Sequence, residues 1–170
     1  MKGNISSWHD PCNFSNVLSL SRRVFLSSPE LLRDVRQIAF TIMAKIDSID
    51  YFIQQNTSAI CPNCKNICCI NRHGYYDDID LFYIIALGLK PPLFRSDIDD
   101  EEPCQFLSDK GCSMERSIRP FRCNWYFCEA LLLHMEKGPA RPYRAFIKTF
   151  DEIIRLRSEL QSRFMDIIDD

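Results

Sequence analysis

The chain is poor in glycine, in net charge and in long apolar runs, and each shortage excludes a class of protein. Its five glycines are scattered and build no G-x-G-x-x-G loop of the kind that binds dinucleotide cofactors. A formal net charge of −2 over 170 residues provides no basis for general binding to nucleic acid. The longest apolar stretch, from Leu81 to Leu89, is about half of what a membrane-spanning helix needs.

A secretion signal is also missing from the N-terminal segment MKGNISSWHDPCNFSN, which lacks a run of about seven apolar residues. We therefore expect a cytoplasmic protein without membrane association, in which thiols stay reduced. We expect no nucleic-acid partner. A protein partner is compatible with the composition, and the oligomeric state is left open.

Two long amphipathic patterns predict a mainly α-helical protein, which we interpret as a single domain of residues 1–170. After an N-terminal segment, residues 1–27, apolar residues recur every three or four positions over 28–54, which is the spacing of one buried helix face. The same rhythm over 142–168 predicts a C-terminal helix whose apolar stripe includes Ile154. The basic residues of this helix are expected on its solvated face: Lys148, Arg155, Arg157 and Arg163.

Between the long helices lies a cysteine-rich segment, residues 61–128, which contains shorter elements. The Asp77–Asp78 pair favours the start of a helix that Gly88 ends. Residues 104–112 predict a tight β-hairpin, and a further short helix is expected over about 130–137.

Eight of the nine cysteines fall within this segment, and four of them form the burst CPNCKNICC. The eight candidate metal ligands are Cys61, Cys64, Cys68, Cys69, Cys104, Cys112, Cys123 and Cys128. A C-x2-C turn places two sulfurs on one side of a loop, as structural zinc sites and iron–sulfur clusters require. The neighbours Cys68 and Cys69 point apart, which suits two nearby sites, or one site and its surroundings. One zinc or one four-iron cluster takes four sulfurs, so eight would fill two sites.

Disulfides are an alternative for so many cysteines, but a reducing compartment and the odd ninth thiol, Cys12, weigh against them. One or two of the eight could instead be ordinary buried core residues. Metal ligation is the favoured interpretation, and the spacing does not distinguish zinc from an iron–sulfur cluster. Four basic residues could offset the thiolate charge: Lys110, Arg116, Arg119 and Arg122.

The three histidines offer little support for nucleophilic catalysis by a cysteine, which needs a base beside it. His73 could be a ligand or a neighbour of the metal, although a plain loop role is favoured. His134, in LLLHM, is expected to be a packing histidine on a helix. His9 and Cys12 could approach a metal, but an N-terminal segment is more often loosely held.

Two further stretches are interpreted as a solvated loop and as packing around the site. Residues 97–102 are mostly acidic and are expected to form a solvated loop. Residues 119–127 mix basic and aromatic side chains, as single-strand nucleic-acid binders do, but in an acidic protein packing around a metal site is favoured.

The ordered set CPNCKNICC, CQFL, GCSM and RPFRCNWYFC resembles the YkgJ-type cysteine-cluster family, often described as a zinc- or iron-chelating domain. The resemblance covers about Cys61 to Cys128 and implies that all eight cysteines bind metal. Two positions depart from the family pattern. Three residues separate Cys64 from Cys68 where two are usual, and Asn124 follows Cys123 where arginine is usual.

Two functions follow as hypotheses. The first is a metal-binding module whose zinc ion or iron–sulfur cluster fixes the loops structurally, and which could carry redox state or present metal to a partner. The second is an iron–sulfur enzyme, because larger relatives of the family are flagellin lysine N-methylases that resemble S-adenosylmethionine-dependent enzymes. No catalytic residue is assigned, and whether the chain is an enzyme is left undecided.

Overall fold

The computed structural model describes residues 15, 16, 19, 29–95 and 97–169. Over these residues the chain is mainly helical with one small antiparallel hairpin, which confirms the predicted fold class. The predictions for His9 and Cys12, and for most of the N-terminal segment, lie outside the described residues. No helix in this part of the chain is long and apolar enough to cross a membrane.

The two longest helices pack against each other along the predicted apolar stripes. In chain order the α-helices of the described residues are α1 (Pro29–Ile60), α2 (Asp78–Ala86), α3 (Glu129–Lys137) and α4 (Ala140–Asp169). Helix α1 continues to Ile60 and does not end near residue 54, because no proline or glycine interrupts it before Pro62. The buried stripe residues include Val35, Ile42, Ile46, Ile49 and Ile53 of α1 and Phe146, Ile153, Leu160 and Phe164 of α4.

Two residues of α4 lie on the opposite face from the one predicted. Ile154, expected in the apolar stripe, is 43% exposed, whereas Arg157, expected in solvent, is 6% exposed. Arg157 follows the buried Ile153 by one helical turn and precedes the buried Leu160, so the helical repeat itself places it on the buried face. Both predictions are therefore wrong.

Arg157 enters the core because two carboxylates meet it there. Its Nη1 donates to Asp80 Oδ1 at 2.7 Å, and its Nη2 donates to both Asp77 carboxylate oxygens at 3.1 Å. Asp80 also accepts the backbone N–H of Phe121 at 3.1 and 3.2 Å, and the guanidinium lies over the Phe121 ring. Burial raises the pKa of Asp80 to about 6, and the charge of Arg157 opposes this shift. The network ties α2 and α4 to the segment that leads into Cys123.

Helix α2 begins and ends as predicted. Asp77 and Asp80 form a capping box, in which the N–H of Asp80 donates to Asp77 Oδ1 at 2.7 Å and the N–H of Asp77 donates to Asp80 Oδ2 at 3.2 Å. Gly88 follows with a φ of 78°, a backbone conformation that costs glycine little. Helix α3 likewise matches the one predicted over about 130–137.

The predicted hairpin is present but short. Strand β1 (Leu107–Ser108) pairs antiparallel with β2 (Gly111–Cys112), so that Leu107 lies opposite Cys112. Gly111 has a φ of 97°, and Ser108 Oγ donates to its carbonyl at 2.7 Å to close the turn. Most of the remaining cysteine-rich segment consists of loops and of short 3-10 helices over Cys61–Asn63, Asn71–Gly74, Arg116–Ile118 and Phe121–Asn124.

Candidate metal centre

The first cysteine pair lies at the C-terminal end of α1. Cys61 begins a 3-10 helix directly after α1, and the N–H of Cys64 donates to the carbonyl of Cys61 at 3.1 Å. The Cys64 thiol donates to the carbonyl of Asn66, also at 3.1 Å. The C-x2-C pair therefore forms the tight turn that its spacing predicts.

A first group of thiols, which we call group A, gathers at the ends of two helices and comprises Cys61, Cys64, Cys68 and Cys128. Cys61 follows α1, Cys128 immediately precedes α3, and these two helices pack against each other. Burial raises the pKa of the Cys61 thiol, and the charges of the other three cysteines of group A raise it further. The neighbouring Cys69 and burial raise the pKa of Cys68, and an interaction with the Cys128 thiol opposes this shift.

The far end of the CPNCKNICC burst is aligned with the start of the hairpin. The N–H of Cys104 donates to the carbonyl of Cys69 at 2.8 Å, and Ile70 and Pro103 form an isolated antiparallel β-bridge. Two segments that are distant in sequence therefore run side by side, with Cys69 next to Cys104.

A second group, group B, comprises Cys69, Cys104, Cys112 and Cys123. The hairpin holds two of its members, because the N–H of Leu107 donates to the carbonyl of Cys104 at 2.7 Å and Leu107 lies opposite Cys112. Burial, together with the nearby thiols of Cys104 and Cys112, raises the pKa of Cys123 to about 12. Cys69 interacts electrostatically with both Cys104 and Cys123.

The two groups meet at Cys68 and Cys69, whose thiols interact with each other, so the prediction that they point apart is wrong. A hydrogen-bonding contact between these neighbouring thiols raises the pKa of Cys68 and lowers the pKa of Cys69. Cys61 also lies close enough to Cys69 to oppose this decrease in the pKa of Cys69. The eight sulfurs therefore occupy one region of the molecule.

All eight predicted ligands are free thiols, and each is at least partly accessible to solvent. They are neighbours and do not form a closed coordination shell. Among the residues that the structure describes, no group of three or more Cys, His, Asp or Glu side chains already has the geometry to hold a metal ion. Metal binding therefore requires thiols within a group to turn towards a common centre.

His73, favoured as a plain loop residue, lies in a 3-10 helix against the cysteines. Its Nδ1 is 2.9 Å from the carbonyl oxygen of Cys68, and because a carbonyl only accepts, Nδ1 carries the hydrogen and Nε2 is the acceptor of the neutral ring. The carbonyl of His73 accepts from the Cys123 thiol at 3.9 Å, and burial lowers the pKa of the imidazole. His73 thus contacts both groups. His134, expected to be packed, is exposed on α3, so that prediction is wrong.

Two of the basic residues expected to offset thiolate charge approach Cys123. Arg116 is 7% exposed, pairs with Asp50, and its Nη1 is 3.5 Å from the carbonyl oxygen of Cys123. The charge of Arg119 lowers the pKa of Cys123, against the larger effect of burial. Arg122 instead lies over two aromatic rings of its own segment.

Asn124 is a buried polar residue that the sequence did not identify as part of the site. It is fully buried directly after Cys123, and its Oδ1 accepts from Arg116 Nη1 at 3.4 Å. Its Nδ2 has no hydrogen-bond partner in the described part of the chain. A buried N–H without an acceptor is costly, and a thiolate is an acceptor. The one sequence feature that could have identified Asn124 as part of the site is its position directly after Cys123, where the family resemblance predicts arginine.

Gly74 is a second residue that the sequence did not identify. A Cβ at this position would lie 2.9 Å from Cys104 Sγ, so any other residue would displace the sulfur. Gly74 and Cys104 are far apart in the chain, so the single glycine in NRHG does not by itself indicate this contact.

The acidic residues of 97–102 form an exposed loop, as predicted. Asp97 pairs with Arg95 at 2.7 Å, and Glu101 pairs with Arg72. These carboxylates are thus engaged with basic neighbours at the surface and do not join the cysteines.

Comparisons with protein-family models, with curated proteins and with solved structures find no match for this chain. The resemblance to the YkgJ-type cysteine-cluster family therefore stays a prediction from the motifs.

Proposed function

We propose that this chain is a metal-binding protein that holds zinc or iron–sulfur clusters through up to eight cysteine thiolates. The observation that carries the proposal is the gathering of cysteines from distant parts of residues 61–128 into one region, where the N–H of Cys104 bonds to the carbonyl of Cys69 and the Cys123 thiol reaches the carbonyl of His73. Four sulfurs are the ligand set of one structural zinc ion and of one four-iron cluster.

The exposure of the cysteines favours ligation over ordinary packing. Free cysteines that act as small apolar residues are among the most buried residues of proteins. Here Cys61 and Cys69 are exposed and the other six are half-buried, whereas the core consists mainly of aliphatic and aromatic side chains. Cys112 packs against the core, whereas the other seven cysteines of groups A and B do not belong to it, so the concentration of thiols in one region calls for another explanation.

The surroundings of group B suit deprotonated sulfur. Arg116 and Arg119 bring positive charge close to Cys123, and Asn124 Nδ2 is a buried donor with no acceptor among the described residues. Cations and N–H donors both stabilise a thiolate relative to a thiol. A metal at this group would convert the thiols into thiolates, which accept hydrogen bonds from N–H groups such as Asn124 Nδ2 and carry negative charge near the two arginines.

The role that follows most directly is structural. The cysteine-rich segment contains two-residue strands, short 3-10 helices and loops, together with α2. Metal ions held by both groups would cross-link these loops to the ends of α1 and α3. Because an unfolded chain offers no preformed site, the free energy of metal binding would add to the stability of the fold. A redox or metal-presenting role would use the same thiolates.

Metal analysis and thermal melting test the proposal. Protein purified anaerobically from its native source should contain about two zinc ions or two four-iron clusters per chain, and native material matters because recombinant hosts can load the wrong metal. Removing the metal with a chelator should lower the Tm by many degrees, and adding it back should restore the Tm. A metal-free chain with an unchanged melting curve would refute the proposal.

An iron–sulfur enzyme, including one similar to S-adenosylmethionine-dependent protein lysine N-methylases, is the second candidate. It is favoured by the exposure of Cys61 and Cys69, which would leave a cluster within reach of a redox partner or a small molecule. A brown protein with about four irons per cluster and broad visible absorption would support this candidate. A colourless protein with about two zinc ions per chain would contradict it.

A further inference from the structure

We infer that the cysteines form two separate four-thiolate metal sites, one from group A and one from group B, and that the peptide bond between Cys68 and Cys69 divides them. The inference rests on the proposed function, because it assigns ligands to metals whose binding is itself proposed. It specifies which sulfurs share a metal, which the spacing of the cysteines along the chain does not reveal.

Backbone contacts hold group B together. The N–H of Cys104 bonds to the carbonyl of Cys69, and the hairpin places the third member of the group opposite Leu107. The sulfurs of Cys104 and Cys123 both approach one 3-10 helix, since Cys123 Sγ lies 3.9 Å from the carbonyl oxygen of His73 and Cys104 Sγ lies against Gly74. Three distant stretches of chain therefore bring these four residues close together, and their thiols would have to turn to share one metal.

Group A is assembled by helix packing. The turn of Cys61 and Cys64 closes the end of α1, and α1 packs on α3, which Cys128 precedes. Cys128 occupies the N-cap position of α3 without donating or accepting a side-chain capping bond, and the positive end of a helix favours a thiolate there. Cys68 completes the set, because Cys69 is bonded through its carbonyl to Cys104 of group B and Cys68 is the remaining cysteine of the burst.

The division falls between adjacent residues because their other contacts diverge. The N–H of Cys104 bonds to the carbonyl of Cys69, which assigns Cys69 to group B. This leaves Cys68, whose thiol interacts with those of both Cys69 and Cys128, as the fourth member of group A. On binding, each thiol would lose its proton to solvent as its sulfur–metal bond forms. The contact between the thiols of Cys68 and Cys69 would then be replaced by one bond to each of two metals.

Double substitutions in the full-length, zinc-loaded chain test the division. C64S/C68S removes two ligands from group A and leaves group B intact, so about one zinc per chain should survive competition with a chelator. C64S/C69S removes one ligand from each group, so neither four-sulfur site remains and both zinc ions should be lost. The two variants differ only in which of two neighbouring cysteines is replaced, which makes each the control for the other.

A reciprocal pair repeats the comparison from group B. C112S/C69S should keep about one zinc, and C112S/C68S should keep none under the same competition. Equal zinc retention within either pair, or the reverse order, would overturn the division into these two sites. Wild-type protein that holds neither zinc nor iron would overturn the proposed function as well, so the two failures are distinguishable.

Alkylation of wild-type protein tests the same division without substitutions, so its result does not depend on whether the variants fold. Wild-type protein carrying two zinc ions is treated with enough chelator to remove about half of the metal, alkylated, and analysed by intact and peptide mass spectrometry. Molecules that have lost one zinc should be alkylated together at the four cysteines of one group and protected at the other four. Labelling that mixes members of both groups in the same molecules would overturn the inference.

Discussion

Replacing Arg157 by methionine tests whether the buried charge network holds the helices to the cysteine-rich segment. The substitution keeps most of the side-chain volume but leaves the Asp80 carboxylate, at 3% exposure, without its charged partner 2.7 Å away. Asp80 retains the N–H donors of Phe121 and Asp77, which limits the cost. Removing one partner of a buried ion pair costs about 3–5 kcal/mol, so we expect R157M to lower the free energy of unfolding by about 4 kcal/mol.

Urea unfolding of the metal-loaded protein, followed by circular dichroism, provides the measurement. The exposed Arg155 lies on the same helix, and R155M should change the free energy of unfolding by no more than about 0.5 kcal/mol. The double variant R157M/D80N removes both charges and should recover at least about 1 kcal/mol relative to R157M alone. If R157M costs no more than R155M, the network does not stabilise the fold and the reasoning is refuted.

The pH dependence of the R157M effect gives a second check. Burial raises the pKa of Asp80 to about 6 in the folded protein, above its unfolded value, so this group stabilises the fold most at low pH and the contribution is lost as pH rises through about 6. Without Arg157 the pKa of Asp80 should rise further. The loss of stability in R157M relative to wild type should therefore be smaller at about pH 5 than at about pH 7.5.

Three further outcomes are expected. F164A should lower the free energy of unfolding by about 3–5 kcal/mol, because the fully buried ring leaves a cavity, whereas M165A at the exposed neighbouring position should cost far less in the same urea assay. G74A should weaken zinc binding measured by competition titration, because its methyl group would displace Cys104 Sγ, and unchanged affinity would contradict the role given to this glycine. Zinc affinity should rise with pH across the neutral range. Burial and neighbouring thiols raise the pKa of Cys123 to about 12, so the metal must displace a proton from this thiol. An affinity that does not change with pH would argue against ligation by such thiols.

Features that depend on residues a few positions apart could be predicted from the sequence. The periodic apolar stripes of α1 and α4, the capped start of α2 and the glycine that turns the hairpin all follow from local geometry. The exception is Arg157. Its spacing from Ile153 indicated a buried position, but its charge suggested solvent, because the carboxylates that make burial tolerable belong to a different element of the chain.

The sequence by itself determined the inventory of the candidate site: eight soft sulfur donors within one segment, and the tight turn between Cys61 and Cys64. Only the tertiary structure decided which sulfurs are neighbours. Cys69 meets Cys104 through backbone pairing, and Cys61 meets Cys128 through the packing of α1 on α3. These contacts join segments that are far apart in the chain, and their formation depends on the packing of the whole core, which no local pattern of residues specifies.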